Sequence, residues 1–430
     1  MKESFSECVR NGTTHVWPLY GAAFAMAISQ NVLWTVMPFV IRNIGGTEEH
    51  VGYAWAANTL GYVVSLLFAA AMLGHLKTRW ATRTATAAMF VATFAMLMTV
   101  RHAIVHGQLG SPLLIWTTIA AGTLAGAAMS LFWPFLMAWV SADYEGVSLN
   151  RRLGTYNGMW SGAVILGPLI GGTLVDMSTL GPIVTSVICL AACFGLLSLA
   201  RHAEEGRVHD DSAGTVAPVP ASSCQDKNGG IKGIGFDSAR LVRLKWMARI
   251  TMFCSWTYLG VSRSQFPLLF TGMGFSEIQF GILITIFGIF NFLTLTGAGR
   301  LDFWHFKPAL LFGVQAVLAP SLLLLIFGRT LWAFVPAFMI MGVGFAFAYS
   351  SHLYYASCGS KKRSAPMAIH EVTLSLGIIV GSGAGGYLAA NVGPYSPYWF
   401  AAGILVLGAI AQAITWAVLK PRRQNQLGVG

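Results

Sequence analysis

A chain of 430 residues that is 55% hydrophobic and 10% charged, with mean hydropathy +0.63, has far too little charge for a soluble protein of that length and is expected in a membrane. Its net charge of +11 would suggest nucleic acid in a soluble chain, but here the basic residues gather in alternate loops, so no nucleic acid is expected. No Gly-Lys-Ser/Thr phosphate loop, Gly-x-Ser-x-Gly elbow or His-Glu-x-x-His zinc site occurs, so the chain does not read as an enzyme or an ATP-driven pump, and no cofactor or metal is expected.

Twelve apolar stretches of membrane-spanning length follow one another, at roughly 17–41, 51–73, 84–100, 113–140, 154–175, 180–200, 247–270, 278–297, 308–327, 331–356, 367–390 and 397–418. The apolar run after the polar tail is too long for a signal-peptide core, so no cleavage is expected. The first span carries Asn31, Trp34 and Pro38, and Thr47 is the expected cap of the second, which carries Asn58 and Tyr62. Lys77, Arg79 and Arg83 follow, and the fourth span has no charge at all. The fifth places Gly154, Gly158 and Gly162, then Gly167 and Gly171, at helical spacing, with Pro168 among them; such a stripe lets another backbone approach closely, and the proline is expected to bend or thin the helix. Cys189 and Cys193 stand one turn apart in the sixth span and read as small packing residues, with no disulfide expected.

From 201 to 245 the composition changes to acids, bases, prolines and glycines, including Pro218-Val-Pro220 and Asn228-Gly-Gly230. This reads as a linker whose end, from Phe236 to Lys245, forms a short basic interfacial helix capped by Asp237 or Ser238. The expected organisation is therefore an N-terminal six-helix bundle over 1–200, a linker over 201–245 and a C-terminal six-helix bundle over 246–430. With the N-terminus inside, the loops bearing Lys77, Arg151, Arg300, Lys307, Lys361 and Arg422 are cytoplasmic, and the outer loops hold only Arg42, Arg101 and Arg329. Both termini are thus expected in the cytoplasm, in a bacterial inner (plasma) membrane, with lipid headgroups meeting the basic loops.

The two halves repeat. Pro38, Gly45, Thr47, Glu48 and Gly52 recur as Pro267, Gly274, Ser276, Glu277 and Gly281 at a constant offset of 229. Gly167, Gly171 and Gly172 recur as Gly381, Gly385 and Gly386 at an offset of 214, with Gly377 on the same stripe. Six plus six helices in parallel repeats resemble the major facilitator superfamily over the whole chain. The fifth-span pattern of Gly154, Gly167-Pro168 and Gly171-Gly172 is similar to a signature of its drug-exporting members, with Ala163 in place of one glycine. That resemblance implies an all-α fold of twelve transmembrane helices, with the fifth at the interface of the halves and the first and seventh lining a central cavity. Two departures stand out. Gly74-His-Leu-Lys-Thr78 lacks the aspartate usual in that loop, and the fourth span lacks the arginine of many proton-coupled exporters.

Ionisable groups in hydrocarbon cost roughly 3 kcal/mol on insertion scales, so each such group is informative. Glu371 is the one acid well inside a predicted span; it reads either as a proton acceptor or as the partner of the adjacent basic loop in a gate, with His370 beside it. Arg263 in the seventh span, with Tyr258 and Gln265 near it, reads as a forked donor to an anionic or hydroxyl-rich substrate, or as a gating cation. Asn31, Trp34, Asn58, Tyr62, Asn157, Asn291, Tyr349 and His352 complete the candidate substrate-binding set; interhelical hydrogen bonding is the alternative for the amides. The leading expectation is a secondary active transporter, a monomer, that moves a small organic molecule by alternating access, with proton-coupled export of amphipathic compounds favoured by the fifth span. Uptake of a sugar, nucleoside or organic anion is the alternative, and a non-transporting receptor or assembly factor on the same fold is the alternative of another class.

Overall fold

The computed structural model describes residues 16–72, 76–141, 146–200, 238–301, 303–358 and 364–418. Among them the chain forms twelve helices and no strand: α1 (Trp17–Asn43), α2 (Glu48–Met72), α3 (Thr78–Val105), α4 (Pro112–Ser141), α5 (Gly146–Met177), α6 (Gly181–Leu199), α7 (Ser238–Gly272), α8 (Glu277–Arg300), α9 (Pro308–Phe327), α10 (Leu331–Ser357), α11 (Ser364–Asn391) and α12 (Ser396–Val418). The loop residues Gly74, Lys361, Lys362 and Arg363 and the linker over 201–237 lie outside the described residues.

The repeat governs both local geometry and packing. The turns after α1 and α7 each need a backbone in the left-handed region, which glycine adopts without a Cβ clash: Gly45 has φ 88° and Gly274 has φ 92°. The helices that follow are capped alike. Ser276 accepts from the Gln279 amide (3.3 Å) while the Gln279 side chain accepts from the Ser276 amide (2.9 Å), and His50 Nδ1 accepts from the Thr47 amide (3.2 Å) at the equivalent place. In the N-terminal half α1 packs on α5 and α6, and α4 on α2 and α3; in the C-terminal half α7 packs on α11 and α12, and α10 on α8 and α9. Across the halves the main contacts are α2 with α11 and α5 with α8.

Eleven of the twelve helices are long and apolar enough to cross a membrane; α7 is the exception. Its uncharged polar residues Thr251, Ser255, Thr257, Ser262, Ser264 and Gln265 are buried. Four of the hydroxyls donate to carbonyls one turn back, as in Thr257 to Phe253 (2.9 Å) and Ser264 to Gly260 (2.7 Å). Enclosure by neighbouring helices, rather than by lipid, removes the need for an apolar surface there. The helix also starts earlier than the sequence suggests. The basic segment up to Lys245 is continuous with the span, because Leu244, Met247 and Ala248 pack as one stripe against Trp304, Leu311 and Tyr355. Arg240 donates to the Phe306 carbonyl (3.0 Å), and Arg243 lies over the Trp416 ring (5.3 Å), fixing this extension to its own half. The helix α5 runs unbroken through Pro168.

Candidate translocation site

The two halves close on each other at the end that carries the α1–α2 and α7–α8 turns. Arg42 Nη1 donates to Thr271 Oγ1 (3.4 Å), Gln265 Nε2 donates to the Glu48 carbonyl (3.3 Å), and the Phe39 and Phe280 rings meet edge to face at 5.7 Å. Just inside, backbone crosses backbone twice. A Cβ added to Gly386 would stand 2.8 Å from Gly52 Cα, and one added to Gly281 would stand 2.6 Å from the Pro168 carbonyl oxygen, beside Gly172. These crossings are images of each other, since Gly52 and Gly281 are one repeat position and Gly172 and Gly386 another. Deeper, Thr285 Oγ1 donates to the Ile165 carbonyl (3.0 Å) and Tyr62 donates to Glu371 Oε2 (3.4 Å). Toward the other end, where α1 begins and α12 ends, the added Cβ positions of Gly154, Gly158, Gly297 and Gly299 meet nothing within 4 Å among the described residues. The halves therefore part in that direction.

The glycine stripes do not form this interface. Gly167 and Gly171 face Asn31 and Val32 of α1, and Gly377 and Gly381 face Trp256 and Thr257 of α7, all inside one half. Gly385 faces Val261 and Gln265 of its own half, and Gly162 approaches only Phe24. One residue of a helix is about 100° of rotation, so Gly172 and Gly386 point across the interface while Gly171 and Gly385 do not.

Arg263 is partly exposed on a helix that other helices enclose, so its accessible surface opens into the interior. Its guanidinium carbon lies 4.9 Å from the Phe287 ring centroid, and among the described residues it has no carboxylate or hydrogen-bond partner. In α1, Trp34 meets Trp55 edge to face at 5.6 Å and backs onto Gly122; Asn31, partly exposed, donates to the Ala27 carbonyl (2.8 Å). In α7, Trp256 touches the rings of Phe345 and Tyr349, each at 6.0 Å.

Other candidates go elsewhere. Tyr258 is fully buried and bonds Ser321 of α9 (3.1 Å), because five positions from Arg263 turn it to the far side of α7. Gln265 belongs to the closed end. Asn58 donates to the Gly122 carbonyl (2.9 Å) and Asn291 to the Gly342 carbonyl (3.4 Å), joining α2 to α4 and α8 to α10 in matching ways. Asn157 is exposed with no hydrogen-bond partner among the described residues. His352 is buried against His370 of α11. Sequence reasoning missed Trp55, Phe287 as the ring under Arg263, and Thr285; Trp55 shares a stripe with Asn58 and Tyr62, which was the available signal. Among the described residues no three His, Cys, Asp or Glu side chains gather as metal ligands, and Cys189 and Cys193 are free thiols.

Comparison with known proteins agrees with this architecture. The Major Facilitator Superfamily model matches residues 19–357 and 246–428. No curated protein matches the chain. Solved structures share its shape at low identity. A bacterial homologue of the iron transporter ferroportin in an inward-facing state has TM-score 0.72 and 10% identity, over 94% of this chain and 99% of that one. A POT family transporter in complex with a thioalcohol-conjugated peptide has TM-score 0.69 and 11% identity, over 94% and 96%. The nucleoside transporter NupG has TM-score 0.64 and 13% identity, over 94% and 99%. At such identities the likeness carries the fold and not the substrate. The chain thus belongs to the major facilitator superfamily, as an integral membrane transporter built of two six-helix halves rather than an enzyme.

Proposed function

We propose that the chain is a monomeric secondary active transporter that moves a small amphipathic organic anion between its two halves by alternating access, with protons as the coupling ion. The observation that carries this reading is Arg263. A guanidinium inside a membrane protein is retained where it meets a counter-charge or a cavity. Arg263 has no acid beside it among the described residues, so the solute supplies the negative charge, gripped by forked hydrogen bonds. Phe287 under the guanidinium and the indoles of Trp34 and Trp55 across the interior suit the apolar part of the same solute. Glu371, reached by Tyr62 from the opposite half, is the proton acceptor in this reading. With both termini cytoplasmic, as the distribution of basic residues argues, the sealed end faces outward and the parted end opens to the cytoplasm.

Export of amphipathic compounds without a charge requirement is the second reading, favoured by the fifth-span pattern. The same residues have a packing use that does not depend on substrate or direction, since Gly167 and Gly171 seat α5 on α1 and Gly172 meets Gly281.

A thermal-shift panel of aliphatic and aromatic carboxylates, matched amines and neutral sugars decides between them. Carboxylates are expected to raise the unfolding temperature of the wild type, to do so less in Arg263→Lys, and least in Arg263→Ala. A single lost charge-assisted contact predicts roughly a tenfold to hundredfold weaker apparent affinity in the alanine variant. Stabilisation by amines or sugars alone, or an unchanged affinity in Arg263→Ala, sinks the anion reading.

A further inference from the structure

His352 of α10 and His370 of α11 are joined nitrogen to nitrogen, Nδ1 to Nδ1 at 2.6 Å, with ring centroids 4.8 Å apart. Each side chain is 1% exposed, and both Nε2 atoms are buried without a hydrogen-bond partner. Tyr349 packs its ring edge to face on His370 at 4.7 Å. The charged and titratable groups that face the pair are few. Arg249 of α7 acts on His352, and Glu371 is the next residue along α11, with Tyr62 of α2 on its carboxylate. Among the described residues, α8, α9 and α12 present no charged group to either imidazole. The N-terminal half has Tyr156 at the repeat position of His370, so the doubled fold does not itself require a histidine there.

A contact between two Nδ1 atoms limits how many protons the pair can hold. In the neutral pair one Nδ1 carries a hydrogen and the other accepts it. A proton added at the bare Nε2 of the donor ring gives an imidazolium bonded to an imidazole, and the contact survives. A second proton must go to the accepting Nδ1, which leaves two N–H groups and two positive charges face to face, and the contact breaks. The pair therefore accepts one proton and stays closed, or two and opens.

We propose that His352 and His370 form a second proton-binding site of the transporter: a latch between α10 and α11 that stays closed while it holds at most one added proton and releases on the next. The latch sits on the helix that carries Glu371 and meets α2 of the other half, so its release loosens the arm that the gate uses. The role in transport rests on the proposed proton coupling; the protonation of the pair does not.

The test uses the full-length protein in lipid bilayers, labelled with ¹⁵N-histidine, with the proton itself as the ligand. The expected result is an N–H···N scalar coupling between two histidines, present at neutral pH, lost in His352→Gln and in His370→Gln, and lost in the wild type once both rings are protonated. Hydrogen exchange across α10 and α11 is expected to speed up by roughly tenfold or more through the same pH step, the equilibrium worth of one charge-assisted hydrogen bond, and to show no such step in His370→Gln. Two uncoupled histidines in the wild type, or a coupling that survives full protonation, overturns the latch. A coupling as expected with no pH step in exchange overturns the mechanical role alone. Neither result touches the Arg263 reading, which the carboxylate panel tests separately.

Discussion

Tyr62 and Glu371 form the one contact between a hydroxyl and an acid that crosses the halves deep in the interior among the described residues. Its image in the repeat pairs the positions of Asn291 and Asn157, where both side chains are amides. At these matched positions the α2–α11 interface thus carries a carboxylate and the α5–α8 interface two amides. Glu371→Gln keeps the shape and still accepts from Tyr62, so expression and exchange of solute without a gradient should be retained. Gradient-driven accumulation in proteoliposomes should fall by roughly tenfold or more, as expected for an intramembrane acid in a proton pathway. Undiminished accumulation in that variant would move the coupling site away from α11. The Arg263 and His352–His370 experiments belong to this scale as well, because each isolates one group from the helix that holds it.

At the scale of elements, the steric demands of the crossings decide what each helix tolerates. The α5–α8 crossing has no room, since a side chain at Gly281 would run into the Pro168 carbonyl. Gly281→Leu should therefore part the sealed end or lower stability by about 1–3 kcal/mol, the usual cost of overpacking. Thermal unfolding, together with reactivity of a cysteine placed near Phe39, measures both outcomes. Gly297→Leu lies on the same helix in open space, and its unfolding temperature should match the wild type within the ±0.5 kcal/mol typical of surface changes. Equal effects of the two substitutions would mean that α8 is not held at that crossing. The polar helix α7 illustrates the same logic: its hydroxyls are tolerated because other helices, not lipid, surround them.

For the whole molecule, the sealed end and the parted end give the transporter a direction once its orientation is known. Gln108 in the α3–α4 turn lies at the sealed end and Lys307 before α9 at the other, both exposed. In a cysteine-free background, Gln108→Cys should react with a membrane-impermeant maleimide added outside intact cells, and Lys307→Cys only after permeabilisation. The reverse pattern would invert the topology and make this conformation open to the outside.

The amino-acid order by itself determined the number of long helices, the doubling and the turn chemistry. Each depends on neighbours a few residues away: a run of apolar side chains, a glycine at positive φ as in Gly45 and Gly274, a serine three places before Gln279. The glycines that cross between halves were also visible, but only as repeat markers; Gly52 and Gly386 became a contact when the halves were set against each other. Which polar groups meet was decided by the tertiary structure alone. His352 found His370, Tyr62 found Glu371, and Tyr258 turned from the interior to Ser321. A helix that is apolar on all sides has little preference for any rotation about its axis, so the face it shows to the interior is set by the helices around it.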